Sequence, residues 1–419
     1  MKASRIHRAN SQKKKILATL LASVLIDFMG SSIIIPLLPF YAKSFGASAF
    51  QIGALFGLFP LVGIFAPVVW GGLSDRIGRR PALLCNIAGT TLAFLCLTSA
   101  NTLGGLFVAQ LLAGAASAST VIAQSYVLDL STPNTRIRHL SLLDAAAGFG
   151  IVLGPIIGGA LLGDDPLNPQ YRLPGLAATI VSGLTFCLAF AVLPSAVNSA
   201  SSPLAKPRYR LRQHLSEFKH IIQRPFVMPI LLVGLAIAMT GMGVQAIFAI
   251  WCEQQFGLAP QQFGYLIVFY ALVTATIQLT LTDRLAKRWG DRKLLLLSLG
   301  SMTFGLFSIP FSTTIPQLLG TLTFLIFSTA TSNPLLTNFL SQLSHPKQQG
   351  KTLGFMESIS GLGGCLGALG AGFLFSAVNT NWPYWVGAIL MGACTFFAIR
   401  TIPYNATSQA RVSGLGNQI

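Results

Sequence analysis

Long apolar stretches, each close to the length of a membrane crossing, run along nearly the whole chain and are separated by short polar breaks. A helix needs about 20 apolar residues to cross the hydrocarbon. Counting runs between charged or Pro-, Gly- and Asn-rich breaks gives twelve. They fall at roughly 16–40, 51–71, 81–99, 104–128, 139–162, 174–193, 228–250, 262–282, 294–311, 317–342, 352–378 and 384–402. Lipid cannot satisfy the open edge of a strand, so these runs must be helices. The alternation of a β-barrel is absent. The pattern predicts an all-α, polytopic membrane protein with twelve transmembrane helices.

Charge fixes orientation. With the N-terminus placed in the cytoplasm, 26 of the 28 Lys and Arg residues fall in cytoplasmic segments, and only Lys43 and Arg172 fall outside. A split this uneven follows the positive-inside rule and sets span parity, since one miscounted span scrambles it. Both termini are therefore expected in the cytoplasm, with the chain in the inner (cytoplasmic) membrane.

The longest polar break is rich in Pro, Ser and Arg. It divides the chain into a tail at 1–15, a six-helix bundle at 16–193, a cytoplasmic loop at 194–227, a second six-helix bundle at 228–402 and a tail at 403–419. The halves echo each other. Arg76-Ile-Gly78-Arg79-Arg80 follows the second span, and Arg288-Trp-Gly290-Asp291-Arg292 follows the eighth, 212 positions later. A repeat with this period predicts two related bundles with pseudo-two-fold symmetry, an arrangement typical of transporters.

Composition removes the main competitors. A net charge of +17 usually points to nucleic acid. Here only 9% of residues are charged, against about 25% in soluble proteins, and 53% are apolar. The positive charge is topological, with attraction to anionic head groups of the lipid bilayer as a second effect. No nucleic-acid partner is expected. No Ser/His/Asp set, metal cluster or phosphate-binding loop appears, so neither an enzyme nor a resident cofactor or metal is expected. The six cysteines show no metal spacing.

Two motifs carry a mechanism. The loop after span two reads Gly71-Gly-Leu-Ser-Asp75-Arg76-Ile-Gly78-Arg79-Arg80-Pro. Its glycines permit a tight turn. Asp75 can pair with the arginines or cap a helix N-terminus, which suits a cytoplasmic latch. Span five holds Gly150, Gly154 and Gly158 on one face, with Pro155 and Gly159 beside them. Such spacing allows close helix packing, and the proline can kink the helix.

These residues resemble the loop and span-five signatures of the major facilitator superfamily, the second being that of its antiporter branch. Nearly the whole chain, its first half most densely, is similar to the twelve-span drug:proton antiporters, tetracycline efflux proteins above all. The likeness includes Asp27-Phe-Met-Gly30 and Pro36-Leu-Leu-Pro39 in span one, Tyr126-Val-Leu-Asp129 after span four, Arg136-Ile-Arg138-His139 and Trp289-Gly290-Asp291-Arg292-Lys293. One departure is plain. The family usually carries an arginine inside span four, commonly linked to proton coupling, and here Gln110 stands at that place in Phe107-Val-Ala-Gln110-Leu-Leu-Ala-Gly114.

Acids inside spans are costly and mark function by default. Asp27 lies about 16 Å into span one at 1.5 Å per residue, near the midplane. Low dielectric favours the neutral acid, so Asp27 is the expected site of proton exchange. Asp144 and Glu357 lie one to two turns from the cytoplasmic ends of spans five and eleven, where pairing with Arg138 or Lys351 is the alternative to function. Gln124, Gln245 and Asn333 are the candidates for the central cavity.

The resemblance implies secondary active transport by alternating access, as a monomer, with protons and a small organic, amphipathic solute as partners. Export is the direction it implies, with multidrug resistance as the setting. A proton symporter or importer of a metabolite or metal chelate, such as a siderophore, stays open because of Gln110. So does a transporter-like membrane sensor without net flux.

Overall fold

A computed structural model describes residues 2–131, 133–162, 170–193, 227–343 and 349–401. The first part of the chain folds as α1 (Lys2–Ile34), α2 (Leu38–Ser44), α3 (Ala49–Gly63), α4 (Ala66–Ile77), α5 (Arg79–Thr98), α6 (Leu103–Ala115), α7 (Ser119–Leu130), α8 (Pro133–Ala160) and α9 (Arg172–Val192). The second part folds as α10 (Val227–Phe256), α11 (Pro260–Thr280), α12 (Thr282–Trp289), α13 (Asp291–Ser308), α14 (Ile315–Leu343), α15 (Gln349–Ala377) and α16 (Trp382–Thr401). The described residues contain no strand.

Eleven stretches among the described residues are long and apolar enough to cross a membrane. The protein is a multi-pass membrane protein. The expected second span is present in two pieces, α3 and α4. Pro60 inside α3 and Pro67 at the start of α4 each lack an N–H. The helix therefore stops at Gly63 and restarts at Ala66, where a proline in the first turn loses no bond. The N-terminal tail is helical and continuous with span one. The expected central loop, apart from Val227, and the tail at 403–419 lie outside the described residues.

The chain divides into two compact units. One comprises residues 1–48, 58–204 and 252–269. Its core is built on α1, α5 and α7, where Leu20, Val24, Leu83, Ile122 and Tyr126 are buried together. Here α8 lies on α1 backbone to backbone. A Cβ added at Gly154 would sit 2.5 Å from Ser32 Cβ, and one at Gly158 would sit 2.8 Å from the Ile33 carbonyl. Gly150 faces the Leu25 carbonyl still more closely. Only glycine lets two helices approach this far.

The other unit comprises residues 49–57, 205–251 and 270–419. In it α13 packs on α14 and α16. Its α10 and α15 repeat the glycine packing, with Gly363 against Leu235 and Gly367 against Met239.

The 212-residue offset holds at the level of backbone geometry. Gly78 (φ 98°, ψ 157°) joins α4 to α5, and Gly290 (φ 80°, ψ 153°) joins α12 to α13. Each donates its N–H to close the preceding helix, to Ser74 O and Ala286 O. Each lends its carbonyl to open the next, to the N–H of Ala82 and Leu294. This backbone region is essentially closed to side chains. Gly78→Ala and Gly290→Ala are each expected to cost about 1–3 kcal/mol. Thermal unfolding in detergent would show it as a lowered midpoint, and an unmoved midpoint would refute the strain.

Candidate functional site

The site begins with a broken helix. The fourth expected span, 104–128, forms as α6 and α7 with a break at Ala116–Ala118. A break inside a membrane leaves carbonyls that lipid cannot satisfy. Side chains add donors there. Ser117 Oγ donates to Gly114 O at 2.7 Å, and Trp70 Nε1 to Ala115 O at 2.7 Å.

The restart of α7 places Ser119 in its first turn, against Asp27 on α1. Ser119 Oγ donates to Asp27 Oδ2, and Thr90 of α5, whose hydroxyl bonds back to Asn86 O at 3.3 Å, lies near the same carboxyl. The N-terminal end of a helix also carries partial positive charge, which favours an anion there. Asp27 is half-buried, so one carboxyl combines a hydroxyl donor, a helix end and partial access.

Beyond it lie two orphaned groups. Asn86 is fully buried, and neither its amide nitrogen nor its oxygen has a partner. Tyr126 is buried and its hydroxyl is unpartnered. A dry, unpaired polar group costs about 1–3 kcal/mol.

On the face carrying the loop after span two, Arg79 is the organising residue. Its Nη1 donates to Ser74 Oγ at 2.7 Å, and its Nε pairs with Asp129 Oδ2 at 3.2 Å. Arg80 donates to Phe190 O at 2.7 Å and stands over the Phe190 ring. The second unit repeats this clasp: Arg292 donates to Ile399 O at 2.9 Å. Arg76 is exposed. Gly71 accepts from Ser74 Oγ through its carbonyl. Asp75 lies in the last turn of α4, and its side chain lies outside the described part of the structure.

The remaining candidates are spread out. Asp144 and Glu357 are exposed on α8 and α15. No ion pair joins Asp144 to Arg138 among the described residues, and the Lys351 side chain is not described. Gln110 on α6 and Gln124 on α7 are half-buried, while Gln245 on α10 and Asn333 on α14 are exposed. Pro155 sits within α8, and Gly159 faces away from α1. The two cations placed on the far face both have partners. Lys43 pairs with Glu253 at 2.7 Å, and Arg172 donates to Asn101 Oδ1 at 2.5 Å.

Sequence reasoning did not reach Ser119, Thr90 or Asp129 as functional residues. Asp129 had a signal, as the end of the Tyr126-Val-Leu-Asp129 stretch. The two hydroxyls had none.

Comparison with known proteins is extensive. The sequence pattern of the Major Facilitator Superfamily matches residues 20–251 and 231–417. The chain is 26% identical over 388 residues to the class C tetracycline resistance protein of Escherichia coli, covering 90% of this chain and 95% of that one. It is 28% identical over 389 residues to the class B protein of Escherichia coli, covering 90% and 92%. Among solved structures, the crystal structure of D-xylose-proton symporter superposes with a TM-score of 0.74 at 16% identity, covering 93% of this chain and 98% of that one. That likeness concerns the fold alone.

Proposed function

The chain belongs to the Major Facilitator Superfamily, and from that premise we propose that it is a proton-coupled exporter of a small organic solute. The reading rests on one observation: the Asp27 carboxyl is held by Ser119 at the head of a broken span. Its donor is a neutral hydroxyl, so the carboxyl keeps access to both protonation states. Likeness to tetracycline resistance proteins across nine-tenths of the chain supports export, and tetracycline is the first solute to try.

In this reading the chain works by alternating access, with the bundles at 16–193 and 228–402 as its moving parts. Asp27 takes a proton from outside in one state and releases it inside in the other, while solute moves the opposite way. Gln124, Gln245 and Asn333 contribute to the solute path, with Asp144 and Glu357 as secondary acids. Arg79, with Ser74 and Asp129, forms the latch, which Gly71, Asp75, Arg76, Gly78 and Arg80 frame. The protein works as a monomer in the inner membrane with both termini in the cytoplasm. The shared linker geometry at Gly78 and Gly290 supports the two-bundle division.

The test is reconstitution in liposomes with an imposed pH gradient and a solute panel led by labelled tetracycline. Gradient-driven accumulation against proton flow is expected. Solute that follows the proton would show symport instead. Binding without flux would show a sensor.

The latch gives a smaller prediction. Asp129→Asn weakens a partly exposed ion pair worth about 1 kcal/mol, so cycling should slow roughly fivefold. Tetracycline affinity should stay unchanged. Affinity falling in step with rate would refute a purely conformational role.

A further inference from the structure

We propose that Asn86 and Tyr126 hold a chain of water through the first unit, and that this chain carries protons between Asp27 and the Arg79–Asp129 pair. The proposal rests on the proton-coupled reading above. It begins from two buried polar side chains with no partner, Asn86 at 0% exposure and Tyr126 at 1%. Buried polar groups are nearly always satisfied by protein or ordered water. Water fits here, because an amide offers both donors and an acceptor and a phenol offers both roles.

Neighbours along the helices place both groups. Asn86 lies one turn before Thr90 on α5, and Thr90 lies near the Asp27 carboxyl that Ser119 holds. Tyr126 lies one turn before Asp129 on α7, and its hydroxyl lies within electrostatic reach of Arg80 and Asp129. One end of the file touches the carboxyl, and the other touches the loop.

Between the ends, Ser119 and Tyr126 lie on one face of α7, two turns or about 10 Å apart. Buried Ala123 occupies the intervening turn with the smallest side chain that has a Cβ. The proposed file covers that distance with two or three waters.

In the proton step, the Asp27 O–H bond breaks and its proton passes to the nearest water. Each water accepts one proton and hands on another. The last water hands its proton to solvent beside the partly exposed Arg79–Asp129 pair. No atom is gained or lost in the chain, and the waters reset by reorienting.

The test uses the full chain in lipid nanodiscs, with no solute. A pH jump is followed by time-resolved infrared spectroscopy at the carboxylic-acid C=O band, assigned to Asp27 by its loss in Asp27→Asn. Asn86→Leu and Tyr126→Phe are expected to slow deprotonation about tenfold. Asn86→Ser, which keeps a water-binding group, should stay within twofold of the wild type. Circular dichroism and unfolding midpoints verify that each variant folds. Deprotonation at wild-type speed in the folded Tyr126→Phe variant would overturn the relay, as would a Ser variant as slow as the Leu variant. If the wild type shows no titrating Asp27 band at all, the proton-coupled reading fails first, and the relay fails with it.

Discussion

Replacing Asp27 by Asn is expected to abolish uphill transport, with a loss of about a hundredfold or more, the scale on which a positioned acid–base group acts. Asparagine matches aspartate in size and still offers an oxygen to Ser119 Oγ, so the junction between α1 and the start of α7 keeps its bond. What it cannot do is gain and lose a proton. Gradient-driven accumulation of tetracycline in proteoliposomes should therefore vanish. Exchange of labelled for unlabelled tetracycline at zero gradient should persist, because a neutral side chain at 27 mimics the protonated carrier. If Asp27→Asn still accumulates tetracycline against a pH gradient, the coupling site lies elsewhere. If exchange is lost with accumulation, Asp27 serves binding or folding instead.

The second large effect concerns the glycine face of α8. Gly154→Val must push α8 off α1, because the first added carbon already falls 2.5 Å from Ser32 Cβ and 2.7 Å from the Met29 carbonyl. Neither neighbour is a flexible side-chain end. Overpacking of this kind costs about 3 kcal/mol. The unfolding midpoint in detergent should drop by several degrees, and transport should fall with it, since α1 also carries Asp27. Gly159→Ala is the matched control. It lies in the same motif, yet a Cβ there meets nothing within 4 Å. Equal damage from both substitutions would mean that the motif acts by helix flexibility rather than by contact.

The two large effects differ in how visible their causes were in the sequence. Spans, repeat and glycine face are periodic, and periodicity survives in one dimension. Asp27 stood out because a carboxyl in an apolar run has no cheap explanation. The break before Ser119 was hidden. The stretch Gly114-Ala-Ala-Ser-Ala-Ser has neither proline nor charge. The break there is stabilised partly from a distance, by Trp70 on α4.

Ser119 and Thr90 were hidden for another reason. Hydroxyls in membrane helices commonly bond the carbonyl one turn back, as Ser23, Ser32 and Thr98 do here. Nothing in sequence separates such a residue from one that turns towards an acid. The partner of Arg79 was obscured by nearness along the chain. Asp75 is four residues away, but the guanidinium of Arg79 meets Asp129, fifty residues on.

The repeat at 212 residues has a practical consequence. A duplicated scaffold whose chemistry sits in one copy carries its own reference experiment. Gly78 and Gly290 share one backbone geometry, and Arg80 and Arg292 each donate to a backbone carbonyl, while Asp27 belongs to the first copy. The same substitution made at both members of a pair measures folding twice and transport once. The difference between the two is the functional contribution of the first copy, obtained without a second protein.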